Sequence, residues 1–424
     1  MTTMYVCPAD GTRSPVASLA WCCPVCRGPW DLDFEASAVP LKSLSSRVDS
    51  LWRYEEALPL AAPVTTLGEG RTPLVALTPS VAAKLDFLMP TLSFKDRGAV
   101  MLAELARRLG PERVIADSSG NAGTAIAAYC ARAGLPCTVY VPEATSPKKT
   151  EQIRAHGARL ERVPGDREAT ARAARAAADE PGTFYASHVH NPYFLHGTKT
   201  YVYELWEDLG GRLPETLVVP VGNGTLLLGA ALAIAELSAH GLIGARPALI
   251  AVQAEAVSPL ATAFRAGAEE LLAPAGSAPT LAEGIAIPNP PRARQILRAV
   301  RASGGTFRTV TEDQLRAAQL DLASRGLFVE STAVACWAAV RDGTDGADGI
   351  HGADGTDGPD ATDRAGRADG AGHTGLRAVV PLCGAGAKTG LAPAAGTGGA
   401  NGTAGAGGPA GAGGRAGAGG PSAP

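Results

Sequence analysis

The 424-residue sequence carries little net charge, with 38 Lys and Arg residues against 41 Asp and Glu residues. It lacks the clustered basic face with which proteins bind nucleic acids or membrane surfaces. It also lacks an amino-terminal basic segment followed by an apolar stretch, and no run of about 18 apolar residues is free of charge. We therefore expect a cytoplasmic protein that acts on a small molecule, without nucleic-acid or membrane partners.

Cysteine is sparse beyond residue 26. Four of the eight cysteines lie within the first 26 residues, and the others are scattered through patterned segments. This distribution excludes the disulfide framework of a small secreted protein. Residues 1–38 instead form a separate compositional unit ahead of the main body.

Two stretches have very few apolar side chains. Residues 342–375 are mostly Gly, Asp, Ala and Thr, and residues 392–424 are almost wholly Gly, Ala, Pro and Ser. Because neither stretch can bury enough apolar surface to offset ordering entropy, we expect both to be disordered. Glycine at every third position over 343–358 resembles collagen, but about six triplets are too few for a triple helix.

The main body comprises residues 39–341 and 376–391. Short apolar runs such as 113–116 alternate there with segments of helical period such as 122–133, which is typical of parallel α/β sheets. The strand pattern at 376–384 makes the Gly/Asp stretch an insertion within the fold. We predict an α/β fold of two αβα three-layer lobes with mostly parallel sheets, the smaller lobe spanning about 98–200.

Three glycine-rich segments, at 117–123, 221–225 and 381–386, follow predicted strands. Ligands bind at the carboxyl ends of parallel strands, where loops open into a crevice. Backbone N–H groups at 221–225 open a helix and form a natural phosphate site, whereas the loop at 117–123 could hold a carboxylate or a ring oxygen. Each loop taken alone could also be only a tight turn.

Four motifs stand in a characteristic order along the chain: Ser93-Phe94-Lys95-Asp96-Arg97-Gly98, Ser119-Gly120-Asn121, Gly222-Asn223-Gly224-Thr225 and Cys383-Gly384. In the order and spacing of these motifs, the chain resembles the fold-type II (tryptophan synthase β) family of enzymes that depend on pyridoxal phosphate (PLP). Within that family it looks most like threonine synthase, a likeness that also includes 68–74, 90–95 and 191–200.

The resemblance implies a role for each matching residue. Lys95 would bind the cofactor as a Schiff base and later move protons, Asn121 would contact the ring hydroxyl, and Cys383 would face the pyridine nitrogen. Glu330 matches a position near the ring, although a carboxylate that begins a helix is the alternative. The phosphate would be held by Gly222, Asn223, Gly224 and Thr225, and the substrate carboxylate by Ser118, Ser119 and Gly120.

Three positions depart from the threonine synthase pattern. Where the pattern has polar residues that would hold a substrate phosphate, this chain has Ala122, Val189 and Phe194. The loss of those polar residues removes charge-assisted hydrogen bonds of roughly 1.5 to 3 kcal/mol each. Cys383 and the run at 281–286 look more like serine or threonine dehydratases. Replacement phosphate contacts could come from Lys199, Arg97 or His196.

The chemistry that follows is elimination or replacement at the β or γ carbon of a small amino acid. The leading hypothesis is a lyase of the threonine synthase group, with conversion of O-phosphohomoserine to threonine as one candidate reaction. The alternatives are a serine or threonine dehydratase that forms a 2-oxo acid, and a binding or regulatory subunit that has kept the fold. The resemblance also implies a homodimer. His156, His188, His190 and His240 are interpreted as surface or packing residues.

The amino-terminal segment resembles the two knuckles of a zinc ribbon, a module that some threonine synthases carry at this end. The second knuckle, Cys23-Pro24-Val25-Cys26, is well formed. The first contains Cys7 but has Asp10 where a cysteine is expected, with Cys22 as a possible substitute. A structural zinc, a degenerate ribbon and buried thiols remain open as alternatives.

Overall fold

The computed structural model describes residues 3–61, 63–273, 276, 278–341 and 375–391. The two stretches predicted to be disordered, 342–375 and 392–424, lie outside the described residues except for Gly375. None of the helices in the described part of the chain combines the length and apolarity needed to cross a membrane.

The chain begins with three short strands that form an antiparallel sheet in the order β2-β1-β3. A turn containing Gly11, whose φ of 75° suits glycine, connects the first two strands. The ring of Tyr5 stacks on Trp30 with 5.7 Å between centroids, which gives this small unit an aromatic centre. Its strands are β1 (Met4–Val6), β2 (Arg13–Pro15) and β3 (Asp31–Asp33).

The main body contains ten further strands among the described residues, arranged in two sheets. The strands are β4 (Leu74–Ala76), β5 (Val81–Lys84), β6 (Arg113–Ala116), β7 (Cys137–Pro142), β8 (Arg159–Val163), β9 (Thr183–Tyr185), β10 (Thr216–Pro220), β11 (Ala248–Ala254), β12 (Thr306–Val310) and β13 (Ala378–Pro381). The interior strands of the larger sheet, β5, β10, β11 and β13, are short, rich in alanine and β-branched residues, and buried on both faces, as expected where helices cover both sides of a parallel sheet.

The helices follow the alternation that the sequence predicts. Their bounds are α1 (Lys95–Leu109), α2 (Asn121–Ala133), α3 (Pro147–Ala155), α4 (Arg167–Ala178), α5 (Pro192–Thr198), α6 (Thr200–Asp208), α7 (Thr225–Ala239), α8 (Pro259–Arg265), α9 (Ala293–Ala302), α10 (Glu312–Ser324) and α11 (Ala335–Val340).

One sheet has four parallel strands in the order β8-β7-β6-β9, and the other has six strands in the order β12-β11-β10-β13-β5-β4. The six-stranded sheet is parallel except for the pairing of β4 with β5. The predicted α/β class is therefore confirmed, with one parallel and one mixed sheet in the body.

Strand β13 occupies the interior of the larger sheet, between β10 and β5. Its residues 378–381 are buried, and it pairs in parallel with both neighbours. The predicted strand at 376–384 thus lies in the core, although 34 residues of low hydrophobicity precede it in the sequence. Its position brings the loop that follows, with Cys383 and Gly384, to the carboxyl ends of the central strands.

Candidate active site

Lys95 is the first residue of α1 and follows a loop that is pinned to the segment after β13. Phe94 N donates a hydrogen bond to Cys383 O at 3.0 Å, and Ala385 N donates to Leu92 O at 3.1 Å. Leu92 has a φ of 64°, a left-handed conformation that this double attachment holds in place. Two of the predicted site residues, Lys95 and Cys383, are therefore neighbours.

The Lys95 amine is partly buried beside two aromatic rings. Its Nζ lies 4.2 Å from the ring centroid of Phe94 and 5.7 Å from that of Phe194. Burial lowers the pKa of the amine to about 8, although Cys383 and Glu330 act in the opposite direction. A lysine with this pKa exists in large part as the neutral, nucleophilic amine near pH 8.

Asn121 and Glu330, which are 209 positions apart, meet across the site. Asn121 Nδ2 donates to Glu330 Oε1 at 3.1 Å and to Oε2 at 3.2 Å. Glu330 N in turn donates to Gly384 O at 3.0 Å. A Cβ added to Gly384 would lie 2.3 Å from the Glu330 carboxyl group, so a side chain at this position would displace the carboxylate from where it now lies. Glu330 lies ahead of α11 and not at its first turn, which argues against the helix-initiating alternative.

The loop at 117–120 connects β6 to α2 and folds tightly onto the start of the helix. Gly120 N donates to Ser118 Oγ at 3.3 Å. A Cβ on Gly123 would lie 1.8 Å from Ser118 O, which means that glycine is required for this close approach. Ser118, Ser119 and Gly120 thus precede Asn121 directly, on a backbone held at the carboxyl end of β6.

The loop between β10 and α7 contains the other glycine motif. Gly224 has a φ of 72°, and a Cβ there would lie 2.4 Å from Ile296. A Cβ on Gly222 would lie 2.9 Å from the Ile285 Cα atom. Thr225 begins α7, so the N–H groups of this 15-residue helix face the loop and suit an anion.

His188 was interpreted from the sequence as a surface or packing residue, and its place beside the candidate site was not predicted. It is buried, and its Nε2 lies 3.4 Å from Asn223 Nδ2. Its ring also packs against Phe194, with 5.8 Å between centroids. Burial holds the pKa of His188 well below its usual value, with a further contribution from Lys95. Its place just ahead of the 191–200 motif was the available signal.

These residues fit a bound PLP. The loop at 222–224 is packed so closely on Ile285 and Ile296 that a Cβ at Gly222 or Gly224 would collide with them, and it stands at a helix N-terminus suited to a phosphate. The Ser93 hydroxyl is fully buried and has no hydrogen-bond partner within the described part of the chain. The neutral amine of Lys95 suits the aldehyde of the cofactor, and the Asn121 amide and Glu330 carboxylate suit its ring substituents.

Ala122, Val189 and Phe194 are all buried. The Phe194 ring packs so closely on α1 that a Cβ on Gly98 would lie 2.4 Å from it. An aromatic wall therefore stands beside the Lys95 amine.

Two of the basic groups that were suggested as replacement phosphate contacts, Arg97 and Lys199, are paired with carboxylates. Arg97 Nη2 lies 2.8 Å from Asp86 and Nη1 lies 2.6 Å from Glu204, with all three side chains fully buried. Lys199 Nζ lies 2.6 Å from Glu236. His196 is buried, and burial holds its pKa well below the usual value.

A second cluster lies in the amino-terminal unit. One potential ligand atom from each of Cys7, Asp10, Cys23 and Cys26 falls within 4.8 Å of the others. Cys22 does not belong to this cluster and packs against Trp21 and neighbouring core residues instead. Asp10, and not Cys22, is therefore the fourth member of this cluster.

Comparisons with known proteins agree with this geometry. Residues 65–350 match the family described as pyridoxal-phosphate dependent enzymes. The chain is 31% identical to a threonine synthase of Methanosarcina acetivorans over 347 residues, which cover 79% of this chain and 84% of that one. It is 33% identical to a threonine synthase of Mycobacterium leprae over 306 residues, covering 69% and 82% respectively.

Solved structures share the fold. A threonine deaminase from the source abbreviated T.th. superposes with a TM-score of 0.57 at 25% identity, covering 72% of this chain and 87% of that one. Maize serine racemase gives a TM-score of 0.60 at 18% identity, covering 74% and 88%. The chain therefore belongs to the fold-type II family of pyridoxal-phosphate-dependent enzymes, as a lyase similar to threonine synthases.

Proposed function

We propose that this enzyme eliminates an uncharged substituent from the side chain of a small amino acid, as a serine or threonine dehydratase does. The observation that carries the proposal is the wall beside the Lys95 amine, which consists of Phe94, Phe194 and a neutral His188. Bound PLP would supply the electron sink that stabilises a carbanion at the α carbon. The residues of this chain would bind the cofactor and substrate and transfer the protons.

Lys95 is the proposed attachment and proton-transfer residue. Its lowered pKa leaves a neutral amine that can bond to the cofactor aldehyde and, once released by the substrate, take the α-proton. Asn121 and Glu330 would hold the ring substituents, since their side chains already meet beside the Lys95 loop. Cys383 is buried and burial raises its pKa well above the usual value, so a neutral thiol would face the ring nitrogen.

The glycine loops would hold the two anionic ends of the complex. Gly222, Asn223, Gly224 and Thr225 would bind the cofactor phosphate at the start of α7. Ser118, Ser119 and Gly120 would bind the substrate carboxylate through hydroxyl and N–H groups. The Lys95 amine would then act at the α carbon, next to the bound carboxylate.

An uncharged leaving group agrees with the electrostatics of the pocket. A phosphate dianion needs charge-assisted hydrogen bonds, which contribute roughly 1.5 to 3 kcal/mol each. Arg97 and Lys199 are already paired with buried or half-buried carboxylates, and withdrawing them would take away the cationic partners of Asp86 and Glu236. A hydroxyl group that leaves as water places no such demand on the site.

Threonine formation from O-phosphohomoserine is the second candidate. It is favoured by the 31–33% identity to threonine synthases over most of their length. In that case the phosphate would have to be bound by N–H groups of the loops and by hydroxyl groups such as those of Ser118 and Ser119.

Product analysis separates the two candidates. The purified holoenzyme is incubated with L-serine, L-threonine and O-phosphohomoserine in turn, and 2-oxo acid, ammonia, inorganic phosphate and threonine are measured. We expect equal amounts of 2-oxo acid and ammonia from serine or threonine. Release of phosphate together with threonine would refute the dehydratase proposal. Lys95→Ala should abolish every product, whereas Lys42→Ala, at an exposed lysine, should leave turnover unchanged.

Two further parts of the proposal concern assembly. We propose that Cys7, Asp10, Cys23 and Cys26 bind a structural zinc ion in a ribbon-like unit, because three thiols and one carboxylate can supply a tetrahedral set. The homodimer implied by the family resemblance is also a proposal, which sedimentation equilibrium of the purified protein would test.

A further inference from the structure

Arg292 lies immediately before α9, and its side chain is fully buried. Its guanidinium group donates hydrogen bonds to three backbone carbonyl groups of two distant segments. Nε donates to Val189 O at 2.7 Å, and Nη2 donates to His190 O at 3.4 Å. Nη2 also donates to Trp30 O at 2.5 Å. One side chain therefore joins the amino-terminal unit to the segment that precedes α5.

The remaining donor, Nη1, is bound by side chains. It donates to Asp31 Oδ1 at 2.9 Å and to Gln295 Oε1 at 2.8 Å. Gln295 Nε2 in turn donates to the Asp31 carboxylate at 2.8 Å. Nε, Nη1 and Nη2 thus all have partners, and Asp31 supplies the negative charge that a buried guanidinium requires.

The segment that Arg292 holds forms one wall of the candidate active site. Val189 and His190 directly follow His188, whose ring nitrogen lies 3.4 Å from Asn223 Nδ2. Phe194, four residues further, contacts both His188 and the Lys95 amine. A displacement of the backbone at 189–190 would therefore be transmitted to side chains on both sides of the site.

The same helix also contacts the glycine loop. Ile296 N donates to Arg292 O at 3.0 Å, which places Ile296 one turn after Arg292. The side chain of Ile296 packs directly on Gly224, where a Cβ would lie only 2.4 Å away. The start of α9 thus touches the loop at 222–224 through Ile296 and the opposite wall through Arg292.

The amino-terminal unit makes further contacts with this wall. Trp30 N donates to His190 O at 3.1 Å, and Asn191 Nδ2 donates to the Tyr5 hydroxyl at 3.3 Å. The ring of Trp21 packs edge-on against His190 with 5.1 Å between centroids. The unit is therefore attached to the segment that lines the active site and not to a remote surface.

We propose that Arg292 is a positioning residue for the active site, and that Asp31 of the amino-terminal unit holds it in place. Through Arg292, the unit fixes the distance between the wall that carries His188 and Phe194 and the loop that carries Gly224. This inference rests on the proposed function, since it assumes that the loop and wall enclose the cofactor and substrate. Lysine cannot replace Arg292, because an ammonium group lacks the planar fork that reaches three carbonyl groups.

The test measures cofactor affinity of full-length Arg292→Lys by titrating the apoprotein with PLP and recording visible absorbance, without any substrate. The matched control is Arg294→Lys, two residues away, where the side chain is half exposed and pairs with the surface carboxylates of Glu269 and Glu270. We expect the Kd for PLP to rise about tenfold in Arg292→Lys, as the loss of charge-assisted hydrogen bonds predicts, and to stay within about twofold in Arg294→Lys.

Far-UV circular dichroism of each variant establishes that it is folded. A folded Arg292→Lys that binds PLP within about twofold of the parent overturns the inference. If Arg292→Lys does not fold, Asp31→Asn takes its place, because it keeps the shape of the side chain and removes only the charge. A rise of about threefold or more in its Kd supports the inference, and an unchanged Kd overturns it. Absence of PLP binding by the parent itself would instead refute the proposed function, so the two failures are distinguishable.

Discussion

The Asn121 amide donates hydrogen bonds to both carboxylate oxygens of Glu330, and Glu330 lies beside the loop that carries Lys95. Asn121 begins the helix after β6 of the four-stranded sheet, whereas Glu330 contacts the segment after β13 of the six-stranded sheet. The pair therefore joins the two halves of the body at the candidate active site. Glu330 also acts, after Cys383, to raise the pKa of the Lys95 amine against the larger effect of burial.

The first prediction concerns the pH dependence of cofactor capture. Because burial lowers the pKa of Lys95 to about 8, the neutral amine should increase as pH rises through 8 and be nearly complete above pH 9. The rate at which apoprotein captures PLP, followed by visible absorbance, should rise with the same midpoint. A rate that continues to rise toward pH 10.5, the usual pKa of lysine, would contradict the assignment.

The same shift has a consequence for stability. The folded state binds fewer protons at Lys95 than the unfolded state between pH 8 and 10.5, so this residue makes the apoprotein more stable as pH rises over that range. To isolate the contribution of Lys95, the free energy of unfolding in urea is measured for the parent and for Lys95→Met at about pH 8 and about pH 10. It should increase more between these pH values in the parent than in Lys95→Met.

The second prediction concerns Glu330→Gln. The carboxylate raises the pKa of Lys95, so its replacement by a neutral amide should move the midpoint of PLP capture below pH 8. The amide oxygen can still accept from Asn121, which preserves the contact. Glu269→Gln is the control, because Glu269 is exposed and pairs with surface arginines. A midpoint that stays fixed in Glu330→Gln would show that Glu330 does not influence Lys95.

Much of the fold could be predicted from the sequence, because buried parallel strands are short apolar runs between helical segments. The predicted strand at 113–116 coincides with β6, and the predicted helix at 122–133 differs from α2 by one residue. Strand β13 was identified despite the preceding low-complexity stretch, since its apolar run and following glycines are local features. Sequence did not indicate the pairing order of the sheets, which depends on contacts between distant residues.

The site could be predicted only where a local motif marks it. Lys95, Asn121 and the loop at 222–225 stand in such motifs, and the roles assigned to them remain predictions. The positions of His188 and Arg292 next to the candidate site could not be predicted for a physical reason: their partners, Asn223 for one and Asp31 with Trp30 for the other, are distant in sequence. In the amino-terminal unit the choice between Asp10 and Cys22 likewise depended on how the chain folds back.

The third prediction concerns Gly224→Ala. The positive φ of Gly224 makes any side chain unfavourable, and here the added methyl group also collides with Ile296. Gly241→Ala is a matched control, because Gly241 has a φ of 64° but nothing within 4 Å of an added Cβ. Both variants should lose about 1 kcal/mol of stability from backbone strain. Only Gly224→Ala should also weaken PLP binding, by about tenfold in a spectral titration. Equal PLP affinity in the two variants would contradict the proposal that this loop binds the cofactor.

The fourth prediction concerns metal content. Three cysteines and Asp10 have potential ligand atoms within 4.8 Å of one another, so protein produced with zinc in the medium should retain about one zinc ion per chain. Cys23→Ser removes a proposed ligand and should lose the metal, whereas Cys22→Ser changes the adjacent residue outside the cluster and should keep it. Asp10→Cys should bind zinc more tightly, because it completes a set of four thiolates. Elemental analysis after dialysis against a chelator measures all four proteins. Equal zinc content in Cys23→Ser and Cys22→Ser would contradict the site, and tighter binding in Asp10→Cys would identify Asp10 as the weakest of its ligands.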